Sequence, residues 1–352
     1  MKNALIISLN FRVAHVSHLV ASYRQFEEIG FRSCLYINPQ LAPFLPEDVR
    51  YITDLSQAES VDIAVFWFPA TGNIREMMRL KSRFGAKIIF VFHEPLETFG
   101  VYRSLGLPRI EIAKIYARYL VTLTFIQLSD AILLPSHKAY SLYEDSLARK
   151  INSRYHHLPL LFCDESTAGR PERKYFSYIG TIAQDHAFDD FVRFIIRASE
   201  DHELTDRLRF MIATRNTVPD SRKLREMREK GLLKVIDGHP LSDEEINRCY
   251  AESYCVWNAY NRTTQSGVLA KAGMFGTPAI VLRRNLSEFS IEGKNVVCCE
   301  NNQDYGQIKE ALLKLLHDFR DYSENARDIF EKTFYYRNNN SRMKDIVDNI
   351  LI

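Results

Sequence analysis

The sequence predicts an α/β fold of two doubly wound parallel sheets, one in each half of the chain. Three observations predict it. Short apolar runs alternate with helical patterns through the first half. A polar stretch from Asp164 to Lys174 interrupts them, and the alternation then restarts. Apolar strands separated by helices imply parallel βαβ units, because a parallel pair needs a long crossover connection. The 352 residues suit two domains, and an apolar share of 46% supplies a core for each.

The first strand is expected at 4–9, inside the run Met1 to Leu9, which is too short for a signal-peptide hydrophobic region with its cleavage site. Further strands are expected at 33–37, 63–68, 87–92 and 131–134, with helices at 17–29, 74–84, 110–128 and 138–149. After the polar stretch, read as a linker, strands follow at 175–179, 208–213, 233–237, 254–258, 279–282 and 295–299. Ser242-Asp-Glu-Glu245 matches a capping box, so a helix is expected over 242–253. Helices at 304–317, 320–334 and 341–351 close the chain. The expected domains are 1–165 and 166–335, with 336–352 as a terminal helix.

The balance of 46 basic and 44 acidic residues gives no general case for nucleic-acid binding. Six cysteines show no Cys-x-x-Cys spacing and read as reduced thiols of a cytoplasmic protein. No apolar run is long enough for a spanning helix.

Parallel sheets place their ligands at strand C-terminal ends, so the residues after each strand are the candidate site. In Phe90-Val-Phe-His-Glu-Pro95 the strand ends on His93 and Glu94, a candidate functional histidine and a candidate general base. Tyr178-Ile-Gly-Thr181 places Gly180 and Thr181 where backbone N–H groups can approach a phosphate. Arg215 follows the next strand and offers a guanidinium fork. Gly238 and His239 follow the third. Tyr260, Thr263, Thr264, Gln265 and Ser266 lie in a polar loop after the fourth. That loop feeds a helix whose first N–H groups, at Gly267 and Val268, favour an anion. The helix ends at Gly276 with Pro278 beyond it. Each feature also has a plainer reading: an ordinary turn, a solvated arginine, a core histidine. There is no Asp-x-Asp, His-x-x-x-His or Walker motif, so no metal site is expected.

The segment Tyr254 to Leu282 resembles the donor-nucleotide motif of the large retaining GT-B glycosyltransferases, family 4. Ser266-Gly-Val-Leu269 and Gly276-Thr-Pro278 match that motif. Its two glutamates, eight positions apart, fall here at Thr263 and Lys271. The arginine and lysine that follow its glycine turn fall at Thr181 and His186. The resemblance implies two Rossmann-like domains facing a central cleft, with the terminal helix crossing back to the first. It implies a UDP- or GDP-linked sugar as donor, with no separate cofactor. The nucleotide would contact Gly180, Thr181, Arg215, Gly238, His239, Tyr260 and the 263–268 loop, with His93 facing the transferred sugar. Lys271 is expected to face the diphosphate or to be solvated. The implied reaction is metal-independent, retaining transfer to a lipid-linked or polysaccharide acceptor, as in bacterial capsule, O-antigen or exopolysaccharide synthesis. The basic and aromatic stretch 102–120 implies peripheral contact with the inner membrane leaflet; a core helix with a solvated basic face is the alternative. Two other functions keep the same fold: a non-catalytic partner that has lost donor binding, and a sugar-nucleotide epimerase.

Overall fold

The strands of the first half are β1 (Lys2–Ser8), β2 (Phe31–Ile37), β3 (Tyr51–Ile52), β4 (Ile63–Trp67), β5 (Lys87–Val91), β6 (Ala131–Leu134) and β7 (Tyr155–His157). In this computed structural model, which describes every residue except 68, 70, 167–170 and 264–266, they form one parallel sheet. Its order is β3-β2-β1-β4-β5-β6-β7. The order reverses beside β1, which places a switch point at the C-terminal ends of β1 and β4. β4 and β6 are buried at every residue, as expected of parallel strands covered on both faces. One face of the sheet carries Leu5, Ile7, Phe66, Phe90 and Ile132, packed with Phe125 and Ile126 of the helix Arg109–Leu128.

The two edge strands β3 and β7 were not expected. The single helix expected over 138–149 is two, His137–Glu144 and Leu147–Ile151. Ser146 restarts the second by accepting from the Ala148 N–H at 3.2 Å.

The second half supplies β8 (Tyr175–Ile179), β9 (Arg209–Ala213), β10 (Leu233–Ile236), β11 (Ser253–Asn258), β12 (Ala279–Leu282) and β13 (Val296–Cys299). They form a parallel sheet in the order β10-β9-β8-β11-β12-β13, with its switch point beside β8. Phe176, Tyr178, Phe191, Phe194, Phe210 and Trp257 dominate the core on one face. The capping box is formed: the Ser242 N–H donates to Glu245 Oε2 at 2.8 Å and the Glu245 N–H to Ser242 Oγ at 3.2 Å. The helix Gly267–Met274 ends at Gly276, whose φ of 62° is the left-handed cap conformation. A Cβ there would also meet the Ser323 carbonyl oxygen at 3.0 Å, so any other residue would crowd that neighbour as well.

The chain divides into two units, Met1–Cys163 with Phe334–Ile352, and Asp164–Thr333. The helix expected over 320–334 is α-helical only over Phe319–Ile329 and becomes a π-helical turn over Phe330–Phe334. The helix Asn340–Leu351 follows and belongs to the first unit. Glu28 anchors this returning segment: it accepts from Tyr336 Oη (2.7 Å), Arg337 Nε (2.7 Å) and Asn340 Nδ2 (2.8 Å).

Candidate functional site

In the second unit, three strand ends meet around Gly180. Its φ of 142° is a backbone that side-chain-bearing residues rarely adopt. The Tyr260 hydroxyl and Val268 both lie 3.8 Å from where its Cβ would stand, so β8, the loop after β11 and the helix start converge there. The Thr181 carbonyl accepts from the Tyr178 hydroxyl and from His186 Nδ1–H, each at 2.8 Å. That bond fixes the tautomer of His186, whose ring stacks on Tyr260 with centroids 4.4 Å apart and planes 10° apart. Burial raises the Tyr260 pKa, so its hydroxyl stays protonated as a donor.

The loop after β9 joins this cluster. Asn216 Oδ1 accepts from the Ile182 N–H at 2.9 Å, and its carbonyl accepts from the Gly238 N–H at 3.3 Å. Arg215, beside it, is exposed and makes no hydrogen bond or ion pair among the described residues. It is a cation held at the strand ends without a protein anion. His239 is exposed; its Nδ1–H donates to the Asp237 carbonyl at 3.1 Å and Nε2 lies 3.4 Å from Glu245 Oε1. Glu245, and then that carbonyl, raise its pKa. Thr263 is half-buried. Thr264, Gln265 and Ser266 lie outside the described residues.

Lys271 corrects its expectation. It is not solvated: it is 6% exposed, and its Nζ donates to Asp243 Oδ1 and to Asn247 Oδ1 (3.1 Å), with Glu165 Oε2 at 3.7 Å. A buried ammonium needs such partners, and Asp243 stands 28 positions away in sequence. Two further residues escaped the sequence reading. Asn302 Nδ2 donates to the Ala259 carbonyl (2.9 Å) and Asn285 Nδ2 to that of Tyr260, and together they pin the loop after β11. Both lie just beyond strand ends, β13 and β12, and that placement is the signal that could have found them.

In the first unit, His93 stands two residues beyond β5. Its ring centroid is 5.5 Å from that of Trp67, which stacks on His18 at 5.4 Å with planes 6° apart. His18 Nδ1–H donates to the Leu161 carbonyl at 3.1 Å and so is part of the scaffold. Burial, and then the neighbouring His18, push the His93 pKa down to about 3. His93 is therefore neutral near pH 7 and offers a hydrogen bond rather than an imidazolium charge. Glu94 is exposed and unpaired among the described residues. The loop is anchored instead by Glu97, a residue not singled out from sequence. Glu97 is 6% exposed and pairs with Lys138 Nζ at 3.1 Å. Its N–H donates to the Tyr102 hydroxyl and its carbonyl accepts from Tyr116 Oη, both at 3.2 Å. Ser136 caps the helix His137–Glu144 by accepting from the Ala139 N–H at 3.1 Å.

The helix Arg109–Leu128 has a buried side and an exposed side. Ile112, Thr122, Phe125 and Ile126 are buried, whereas Ile110, Ala113, Ala117 and Leu120 are exposed. Their spacing of 3, 4 and 3 puts these four on one face, beside the exposed Arg109, Lys114 and Arg118. Among the described residues, no helix is long and apolar enough to cross a membrane.

Comparison with solved structures matches this pair of sheets over nearly the whole chain. Sucrose-phosphate synthase from Thermosynechococcus elongatus superposes with a TM-score of 0.70 over 99% of both chains, at 10% identity. HepE from Anabaena, solved in complex with UDP-glucose, gives 0.69 over 99% of this chain and 100% of its own, at 9% identity. The fold is GT-B. Its two Rossmann-like sheets are β1–β7 and β8–β13. The pneumococcal O-GlcNAc transferase GtfA, solved with UDP and GlcNAc, shares the GT-B architecture over 82% of this chain and 57% of its own, at a TM-score of 0.56 and 16% identity. No protein-family model and no curated protein matches the sequence.

Proposed function

We propose that this chain is a glycosyltransferase that takes a sugar from a UDP- or GDP-linked donor. The cluster around Gly180 carries the reading: a positive-φ glycine, the Tyr260 hydroxyl, the stacked His186 and an uncommitted Arg215 converge at the strand ends of one GT-B unit. GT-B structures that span this chain over nearly its full length include HepE, solved with UDP-glucose. In this reading Arg215 supplies positive charge to the diphosphate, and Tyr260 and the Gly267 helix start supply donors. Those groups stabilise the leaving diphosphate without a metal. His93, neutral, hydrogen-bonds the transferred sugar, and retention follows the resemblance. The acceptor is lipid-linked or a polysaccharide, as in surface-glycan synthesis. The exposed apolar and basic face of Arg109–Leu128 fits an enzyme that works at the inner surface of an anionic membrane.

A second reading, a non-catalytic partner of the same fold, is favoured by Lys271, whose ammonium is engaged by Asp243 and Asn247. A thermal-shift panel of UDP-, GDP- and CMP-sugars separates the two. The transferase reading expects one nucleotide class to stabilise the protein, and Arg215→Ala to weaken its binding by about 1–3 kcal/mol, the range of a charge-assisted contact. No stabilisation by any donor would leave the partner reading standing.

A further inference from the structure

A cavity of about 250 Å³ opens at the N-terminal ends of β1 and β2, beside β3, at the opposite end of the sheet from His93. Its floor rests on the first core: Leu5 and Val61 are buried beneath it, and Cys34, Ile52 and Ala58 are half-buried at its surface. Its rim is charged, with Arg32, Arg50 and Glu59. Arg50 is tied to Glu27 at 2.8 Å and to the Tyr23 hydroxyl at 3.4 Å. The Arg32 side chain is exposed and has no hydrogen bond or ion pair among the described residues, and the same holds for that of Glu59. The half-buried Cys34 thiol lines the same cavity; burial raises its pKa, and Arg50 and then Arg32 oppose that rise. The Asn3 amide donates to Ser60 Oγ at 2.7 Å and closes the polar wall between them.

We propose that this cavity is a second ligand site, for a compact molecule that carries one carboxylate on a short apolar body. The body would cover the half-buried Cys34, Ile52 and Ala58 and remove their apolar surface from water. The carboxylate would meet the Arg32 fork, whose planar donors match it bidentately. Arg50, steered by Glu27, adds positive potential from the other side. Glu59 at the rim repels a second negative charge, so the site selects a monoanion over a polyanion. None of these residues belongs to the nucleotide or His93 clusters, so the site stands whether or not the chain is a transferase.

Cys34 serves as the reporter. The intact protein is alkylated with iodoacetate, a monoanion, and with iodoacetamide, its neutral counterpart, and modification at Cys34 is followed by peptide mass spectrometry. The iodoacetate-to-iodoacetamide rate ratio should exceed that of N-acetylcysteine by about tenfold, the size of one charge-assisted contact. Benzoate should slow Cys34 alkylation and raise the melting temperature, phosphate should do so less at equal concentration, and Arg32→Gln should abolish these effects. Arg32 is exposed, so this variant keeps the fold. A ratio equal to that of the free thiol, or benzoate effects that survive Arg32→Gln, would overturn the proposal. Phosphate acting as well as benzoate would overturn the monoanion selectivity. If neither reagent modifies Cys34, the melting temperature decides: no benzoate shift in the wild type overturns the site.

Discussion

His93 shows how one residue's surroundings set its chemistry. Its ring is packed against Trp67 with His18 beyond, and burial holds its pKa near 3. At neutral pH it can accept or donate a hydrogen bond but carries no charge. His93→Ala is therefore expected to lower turnover on the order of 10²-fold with little change in nucleotide affinity, since a contact made to the transition state acts on kcat. Steady-state kinetics beside nucleotide titration checks it; near-normal turnover in a folded variant would remove His93 from catalysis. The same burial predicts a pH effect. The unfolded ring titrates near the ordinary value of about 6.5. The unfolded state thus binds the proton more readily between about 6.5 and about 3, and stability falls as pH drops through that window. His93→Gln should flatten that fall in a pH series of denaturation curves. The placement of His93, Gly180 and Tyr260 just beyond strand ends was legible in the sequence, because each follows an apolar run. Lys271 was legible as a position on a helix but not as a buried one. Its partners Asp243, Asn247 and Glu165 come from other elements, and nothing within one turn of Lys271 announces them.

Among the elements, apolar runs read most directly. β6, β8 and β12 begin and end where their Ala-Ile-Leu-Leu, Tyr-Phe-Ser-Tyr-Ile and Ala-Ile-Val-Leu runs do. β3 and β7 have no such run. Tyr51–Ile52 and Tyr155–His157 are short edge strands, half-buried at most, and they form because a neighbour offers a hydrogen-bonding edge. The π-helical turn Phe330–Phe334 was hidden because apolar spacing continues through it. The helix Arg109–Leu128 shows what periodicity cannot separate: apolar residues lie on both its buried and its exposed sides, so only the fold tells core from surface. Its exposed stripe makes a test at this scale. Leu120→Asp, or Lys114→Glu with Arg118→Glu, should reduce cosedimentation with anionic vesicles, by about 1 kcal/mol per basic residue in the charge variant. Stability should move by no more than about 0.5 kcal/mol, as for surface substitutions generally. Equal binding to neutral and anionic vesicles, or no loss in either variant, would detach this helix from any membrane role.

At the scale of the whole molecule the two units are built differently. Asp164–Thr333 is one continuous segment, whereas the first unit is completed by Phe334–Ile352, held by Glu28 some 300 residues earlier. A sequence pattern shows that the last helix is amphipathic but not which distant carboxylate receives it. The proposed nucleotide contacts, Gly180, His186, Arg215, Tyr260 and the Gly267 helix start, all belong to the continuous unit. A ligand that binds only the folded form of that unit stabilises it by mass action, by about 2.7 kcal/mol at a hundredfold excess over Kd. Hydrogen exchange with saturating nucleotide should therefore slow the core amides of β8–β13 most, with a smaller effect on those of β1–β7. The protection should persist in EDTA, because guanidinium, hydroxyl and helix-start N–H groups take the place a divalent cation would fill. Protection that vanished on chelation and returned with magnesium or manganese would overturn the metal-free reading, and protection confined to β1–β7 would move the nucleotide site to the other unit.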